Sequence, residues 1–249
     1  MAETIVLERR FLGPPGSANG GYACGVTAEP ISDGPATATL RRPPPLDRPL
    51  QRVEVGDGIE LRDGSELVTA AEPDHLDVEL PENVTLDDAR AARAAFDVAD
   101  YAAAHPFPSC FTCGPEREPG DGLRIFPGQI ERDYPMVGWP WRPDAAFAAG
   151  DGLLPVPVVW AALDCPSGLT RVHEGTTPTP HVLGRMTAEV HRRPAPGEQL
   201  VAAGWELGEE GRKRFSGSVL WSADGEVLAA NRAVWILLSE EQTAAFKGS

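Results

Sequence analysis

Cys110 and Cys113 form a Cys-x-x-Cys spacing that can grip a metal ion or cycle between dithiol and disulfide, with His105 or Cys165 available to complete a metal set. A structural zinc site usually shows two such pairs, and this chain has one. The pair is therefore read as buried structural thiols, with no metal and no other cofactor expected. Redox chemistry fits less well, because a thioredoxin-like pair opens a helix within a βαβ pattern that the sequence lacks. Cys24 reads as a small core residue rather than a nucleophile. His75, His105, His173, His181 and His191 are scattered and give no His-x-x-x-His spacing. His181 follows a proline-containing stretch and precedes a strand, a place that faces either a cleft or solvent. Trp139, Trp141 and Trp160 offer apolar surface for a ligand, against the commoner aromatic role of filling a core.

Charge narrows the partners. A net charge of −15 argues against nucleic acid or an anionic membrane, either of which needs a basic stripe to displace counterions. Arg192-Arg193 and Arg212-Lys213-Arg214 are local basic spots that could hold one phosphorylated small molecule. No apolar run reaches the ~20 residues of a membrane helix, and the chain opens Met1-Ala2-Glu3, with an early acidic residue rather than the basic and apolar segments of a signal peptide. The expected setting is the cytoplasm, with all four cysteines as free thiols.

The elements that must position these residues are legible as a repeat. Arg41-Arg42-Pro43-Pro44-Pro45-Leu46-Asp47-Arg48-Pro49-Leu50 recurs as Arg192-Arg193-Pro194-Ala195-Pro196-Gly197-Glu198-Gln199-Leu200. In the same order, Asp63-Gly64-Ser65-Glu66-Leu67-Val68-Thr69-Ala70-Ala71 recurs as Asp224-Gly225-Glu226-Val227-Leu228-Ala229-Ala230. One fold used twice follows, with residues 1–100 as the first copy plus a bridging helix and 101–249 as the second. A ligand site is expected where the copies meet.

Each copy reads as a strand, a short buried helix and an antiparallel meander. In the first, Thr4 to Leu12 is strand-like, and Ser17 to Glu29 begins with Ser/Asn cap chemistry and small apolar residues before Pro30. Strands follow over 36–42, 50–55 and 59–80, with Asp63-Gly64 as a hairpin turn. Thr85 to Phe96 reads as a capped, alanine-rich surface helix bridging the copies. In the second copy a helix is expected around 157–164, where Pro157 suits a first helical position and Pro166 would end or kink it. Strands are expected over 182–193, 200–207, 213–222 and 227–238.

A helix wrapped by a long antiparallel sheet and duplicated in one chain resembles the double hotdog arrangement of the thioesterase-like superfamily, an α+β fold. Asn19-Gly20-Gly21-Tyr22 resembles the Gly-Gly-Tyr opening of the hotdog helix in double hotdog acyl-CoA thioesterases. Cys110-Phe111-Thr112-Cys113-Gly114 with Gly122-Leu123 resembles the Cys-x-x-Cys-Gly and Gly-Leu start of many single hotdog thioesterases. Ala161-Ala162-Leu163-Asp164 is similar to the helical stretch that carries their acidic catalytic residue.

The resemblance implies hydrolysis of an acyl-CoA or related thioester where the copies meet. Such chemistry needs a polarised carbonyl and a carboxylate that activates water or attacks directly. Asp164 would be the carboxylate, and the Gly20 and Gly21 amides at a helix start would hold the thioester oxygen. Asn19 would orient substrate, with Tyr22, Trp160, Thr179 and His181 as further substrate contacts. The copies look complementary: Pro155-Val156-Pro157 lacks amide donors where the first copy has glycines, and the first-copy counterpart of Asp164 falls near Ala28. Double hotdog thioesterases also pair the helix Asp with a hydroxyl and a Gln on later strands. Gly184 and Ala233 fall at those places, and Thr177, Thr179, Thr187 or Asn231 could substitute only with a one-residue change of register. Hydratases of the superfamily carry an Asp and a His a few residues apart, and Asp164 and His173 are too distant for that. The alternative is a non-catalytic binder of acyl-CoA or another apolar small molecule, and the fused halves resemble a hotdog dimer that associates further into a homodimer.

Overall fold

The computed structural model describes residues 3–31, 34–172 and 180–247. Ten strands form one sheet: β1 Glu3–Val6, β2 Ala36–Leu40, β3 Pro49–Val55, β4 Gly58–Asp63, β5 Glu66–Pro73, β6 Met136–Trp141, β7 His181–Val190, β8 Leu200–Glu210, β9 Lys213–Ser222 and β10 Val227–Leu237. The helices are α1 Gly20–Ala28, α2 Leu86–Ala95, α3 Val98–Ala104, α4 Val156–Gly168 and α5 Glu240–Lys247. The strand order is β1-β3-β4-β5-β2-β7-β10-β9-β8-β6, every neighbouring pair antiparallel. Read inward from either edge, the order is first, third, fourth, fifth and second strand of a set of five, so the two sets meet at β2 and β7.

The sequence repeats sit at matching places in the two sets. The Arg-Arg-Pro segments link β2 to β3 and β7 to β8, and the Asp-Gly segments link β4 to β5 and β9 to β10. Gly64 and Gly225 both take the left-handed backbone (φ 60° and 84°) that these turns require.

α1 packs on β2, β4, β5 and β7, α4 packs on β7 to β10, and the two helices pack on each other. Both are buried almost all round, which a helix enclosed by a sheet and a second helix must be. Leu200 and Ala202 face this principal core, while Val201 and Ala203 face a second core on the other side of the sheet, as strand alternation requires. α2 covers that second core with Ala89 and Ala92, so it is a packed layer as well as a link between strand sets. Its expected cap is present as a full capping box: Asp88 N donates to Thr85 Oγ1 (3.1 Å) and Thr85 N to Asp88 Oδ2 (2.9 Å).

Three expectations are corrected. The strand expected over 4–12 stops at Val6, and Arg9–Phe11 forms a 3-10 turn, with the Arg9 backbone N–H bonded to Asp47 Oδ1 (2.8 Å). The strand expected over 59–80 ends at Pro73. Pro166 does not end its helix, and α4 runs on to Gly168. Pro166 removes an amide from the helix ladder. Nearby carbonyls find side-chain donors instead: Ala161 O accepts from Thr112 Oγ1 (2.8 Å), Leu163 O from Ser218 Oγ (2.6 Å) and Asp164 O from Ser167 Oγ (2.7 Å). α3, capped by Asp97, was not anticipated. Among the described residues, no helix is long and apolar enough to cross a membrane.

Candidate active site between the central helices

Small residues on one helix let the other come close. Gly21 and Gly25 stand one turn apart on α1, facing Pro157, Trp160 and Asp164 of α4. A Cβ on Gly25 would lie 2.7 Å from Pro157 Cα and 2.8 Å from Trp160 Cβ, and one on Gly21 would lie 2.6 Å from Asp164 Cβ. No side chain fits at either position without the helices moving apart. This approach brings a carboxylate from the second strand set onto the start of the helix in the first.

Asp164 is only 2% exposed. Its Oδ2 accepts from Asn19 Nδ2 (2.7 Å) and from the Gly21 backbone N–H (3.0 Å). Its Oδ1 is buried with no hydrogen-bond partner. Burial raises the carboxyl pKa to about 7, opposed by the hydrogen bonds from Gly21 and Asn19 and reinforced by the nearby Cys110 sulfur. Asn19 does two jobs at once: Oδ1 caps α1 by accepting from Tyr22 N (2.9 Å), which leaves Nδ2 as the donor toward Asp164.

Asp164, Asn19 and Gly20 line a cavity of about 730 Å³. Its other walls include Phe96 and Tyr101 from the α2–α3 region, and His181, Leu183 and Gly184 from β7. Arg41 and Arg42, both exposed, lie on its rim. On the same wall, Cys165 of α4 meets Cys110 and Cys113, their sulfur atoms all within 4.8 Å of one another. Cys110 Sγ lies 3.7 Å from Cys165 Sγ, and His105 Nε2 lies 3.3 Å from Cys113 Sγ. All four cysteines are free and buried.

The expected site residues divide. Asp164, Asn19, Gly20 and His181 lie on the cavity, with His181 edge-on to Trp235 (ring centroids 5.1 Å apart). Gly21 is beside them, but its amide is bonded to Asp164, so Gly20 is the remaining oxyanion candidate of the pair. Tyr22 is not on the cavity: its ring stacks on Phe11 (3.7 Å, 9°) and its hydroxyl pKa is raised, chiefly by burial. Trp160 is core, wedged against Gly25, and Trp139 and Trp141 also belong to the core. Thr179, with His173 and Thr177, lies outside the described residues.

Of the four possible substitutes, the two among the described residues, Thr187 and Asn231, do not line the cavity. Thr187 bonds to Thr37 (2.5 Å) across the junction of the strand sets, and Asn231 is tied to Ser218 N (2.9 Å) and Leu163 O (3.3 Å). The basic spots do not serve it either: none of Arg192, Arg193, Arg212, Lys213 and Arg214 lines the cavity, and Arg192 pairs with Glu198 and Glu226, Arg193 with Asp151, and Arg212 with Gln242.

Sequence reasoning missed the Asn19–Asp164 bond, because it assigned Asn19 to substrate. The detectable signal was the matched i, i+4 spacing, Gly21/Gly25 on one helix and Trp160/Asp164 on the other, which marks a close helix crossing. It also missed Phe96 and Tyr101 as cavity walls.

No protein-family model matches the chain, and no curated protein matches it. Solved structures do match. A tesB protein from Mycobacterium avium subs paratuberculosis superposes with a TM-score of 0.60 at 12% identity, covering 96% of this chain and 93% of that one. An acyl-CoA thioesterase II, TesB2, from Mycobacterium marinum gives 0.60 at 11% identity, covering 95% and 93%. A protein with a hot dog fold from Alicyclobacillus acidocaldarius gives 0.58 at 13% identity, covering 96% and 93%. The chain has the α+β double hotdog fold of these structures. The likeness spans 96% of this chain.

Proposed function

We propose that this protein hydrolyses an acyl thioester, CoA-linked, in the cavity between its central helices. The observation that carries this reading is the carboxylate of Asp164, a residue of the cavity wall, with one oxygen held by Asn19 and Gly21 and the other buried without a partner. A buried acceptor without a partner is costly, and a water or substrate atom in the cavity would satisfy it. In this reading a water donates its proton to Asp164 Oδ1 as its oxygen attacks the thioester carbonyl carbon. The carbonyl oxygen becomes an oxyanion facing the Gly20 amide at the start of α1. The C–S bond then breaks, and the leaving thiolate takes the proton back from Asp164. Arg41 on the rim suits a phosphate of a CoA leaving group, whereas Arg42 beside it is paired with Glu66. A cytoplasmic setting, a boundary between copies near residue 100 and self-association of two chains belong to the same proposal.

One observation favours a second reading, a non-catalytic binder of acyl-CoA or another apolar small molecule. Gly184 on the cavity wall and the buried Ala233 give Asp164 neither the hydroxyl nor the amide that the resemblance implies. Free-thiol release from short, long and aromatic acyl-CoA substrates separates the two. Hydrolysis by the native protein that falls roughly 100-fold or more in Asp164→Asn supports the esterase, that being the scale of general-base catalysis. Saturable acyl-CoA binding without turnover on any substrate supports the binder.

A further inference from the structure

The three-cysteine cluster is built from two distant parts of the chain and touches the site above only through Cys110, whose Sγ accepts from Asn19 Nδ2 (3.8 Å); none of its sulfurs takes part in the steps of the reaction. Cys110 and Cys113 sit in a loop whose turn is closed by Gly114 N donating to Cys110 O (2.8 Å). Only glycine fits there, since a Cβ on Gly114 would strike the carbonyl oxygens of Cys110 and Pro108. The loop is pinned to α4 by Thr112 Oγ1 on Ala161 O (2.8 Å), which sets both sulfurs against Cys165 on the next turn of the same helix.

The distances fit a shared ion. Thiolates bound to zinc at about 2.3 Å in a tetrahedron stand roughly 3.8 Å apart along each edge. Cys110 and Cys165 stand at 3.7 Å, and all three sulfurs lie within 4.8 Å. A disulfide would use two of the three thiols and leave the third unpaired.

His105 has an outer role. The Phe107 backbone N–H donates to its Nδ1 (2.9 Å), so the neutral ring carries its proton on Nε2, and Nε2–H points at Cys113 Sγ (3.3 Å). A ring in that tautomer is a hydrogen-bond donor to a metal-bound sulfur, not a ligand.

We propose that Cys110, Cys113 and Cys165 bind one zinc ion as thiolates, with His105 hydrogen-bonded to the Cys113 sulfur and the fourth coordination position opening on the cavity. All three cysteines line the cavity, so a water or a soft ligand such as a thiol reaches that position from it. Binding releases one proton from each cysteine still protonated and leaves every bond of the chain intact.

The test uses the full chain, reduced, stripped of metal and then supplied with zinc chloride or cobalt chloride. One zinc per chain after dialysis is expected, together with a thiolate-to-cobalt charge-transfer band. Zinc should also protect three of the four cysteines from alkylation, as counted by mass spectrometry on the native protein. Cys113→Ser should lose the metal, Cys24→Ser should keep it, and His105→Gln should keep the stoichiometry with affinity about 10- to 100-fold weaker. A folded, reduced native protein that takes up no metal, or in which zinc protects no cysteine, would overturn the assignment. Because the readout is metal content and thiol protection, it stands whether or not the protein turns over acyl-CoA.

Discussion

α1 and α4 occupy matching places in the two strand sets, yet their chemistry is opposite. α1 opens on a polar cap, Asn19, and is made of small residues along the face it turns to its partner. α4 opens on Pro155 and Pro157 with no side-chain cap, runs four residues longer (13 against 9) and carries the acid. The equivalent first-set residue is near Ala28, and the one carboxylate beside it, Glu29, is exposed and paired with Arg52 rather than turned to the partner helix. Duplication has let the two helices specialise, the first holding a carboxylate in place and the second supplying it. A single buried acid then needs no like-charged neighbour across the pseudo-symmetric interface, where two carboxylates would drive each other toward the protonated form.

The sharpest way to break this division is at the helix crossing. Gly21→Val puts side-chain atoms where Asp164 Cβ and the Trp160 carbonyl oxygen already stand, at 2.6 and 2.7 Å from a Cβ. It should destabilise the fold by about 3 kcal/mol or more, seen as a lowered midpoint in urea, and should abolish turnover in whatever fraction still folds. Gly20→Ala is the contrast, since its Cβ meets the side chains of Leu183 and Leu40 rather than backbone. Its cost should be at most about half as large, and equal losses at Gly20 and Gly21 would refute the close crossing as the reason for glycine at position 21.

The next effect separates holding from supplying. Asn19→Ala removes the α1 cap, worth about 1 kcal/mol, and a hydrogen bond to a buried carboxylate, worth about 1.5–3 kcal/mol. Thermal unfolding should drop by several degrees, and kcat should fall with KM little changed, because Asn19 acts on the acid rather than on substrate. A rise in KM alone would return Asn19 to the substrate-contact role that its sequence position suggests.

How much of this was legible depends on range. Local signals worked: the Asp-Gly turns, the capping box at Thr85 and Asp88, the alternating strands and the buried glycine-rich helix are each set by residues within a few positions of one another. The duplication extended that reach, since two copies of one pattern supply the topology that a single copy leaves open. Pairings between distant segments were not legible. The Gly21/Gly25 spacing beside Asn19 marks a close crossing without naming Asp164 as the partner, and Cys165 was one of two candidates beside the Cys-x-x-Cys loop, because each meeting depends on how α4 lies against the sheet and α1. Tyr22 and Trp160 misled for a related reason: an aromatic ring next to a site in sequence is free to point into the core, as both do.

The smallest effect tests whether the two strand sets differ only at their helices. α2 lies on the far side of the sheet from α1 and α4, covering β6 with Ala89 and Ala92. Thr85→Ala removes half of its capping box, leaving the Asp88 amide without its partner while Asp88 still accepts from the backbone N–H at position 85. The expected cost is about 1 kcal/mol, or roughly 2–4 °C in a chain of this size. Turnover at 25 °C should stay within about twofold, because the Thr85 cap is at the opposite end of α2 from Ala95 and Phe96, which line the cavity, and independent sites add without coupling. A large loss of turnover would instead tie the α2 cap to the Phe96 and Tyr101 wall that follows it, and would place part of the site's organisation outside the pair of central helices.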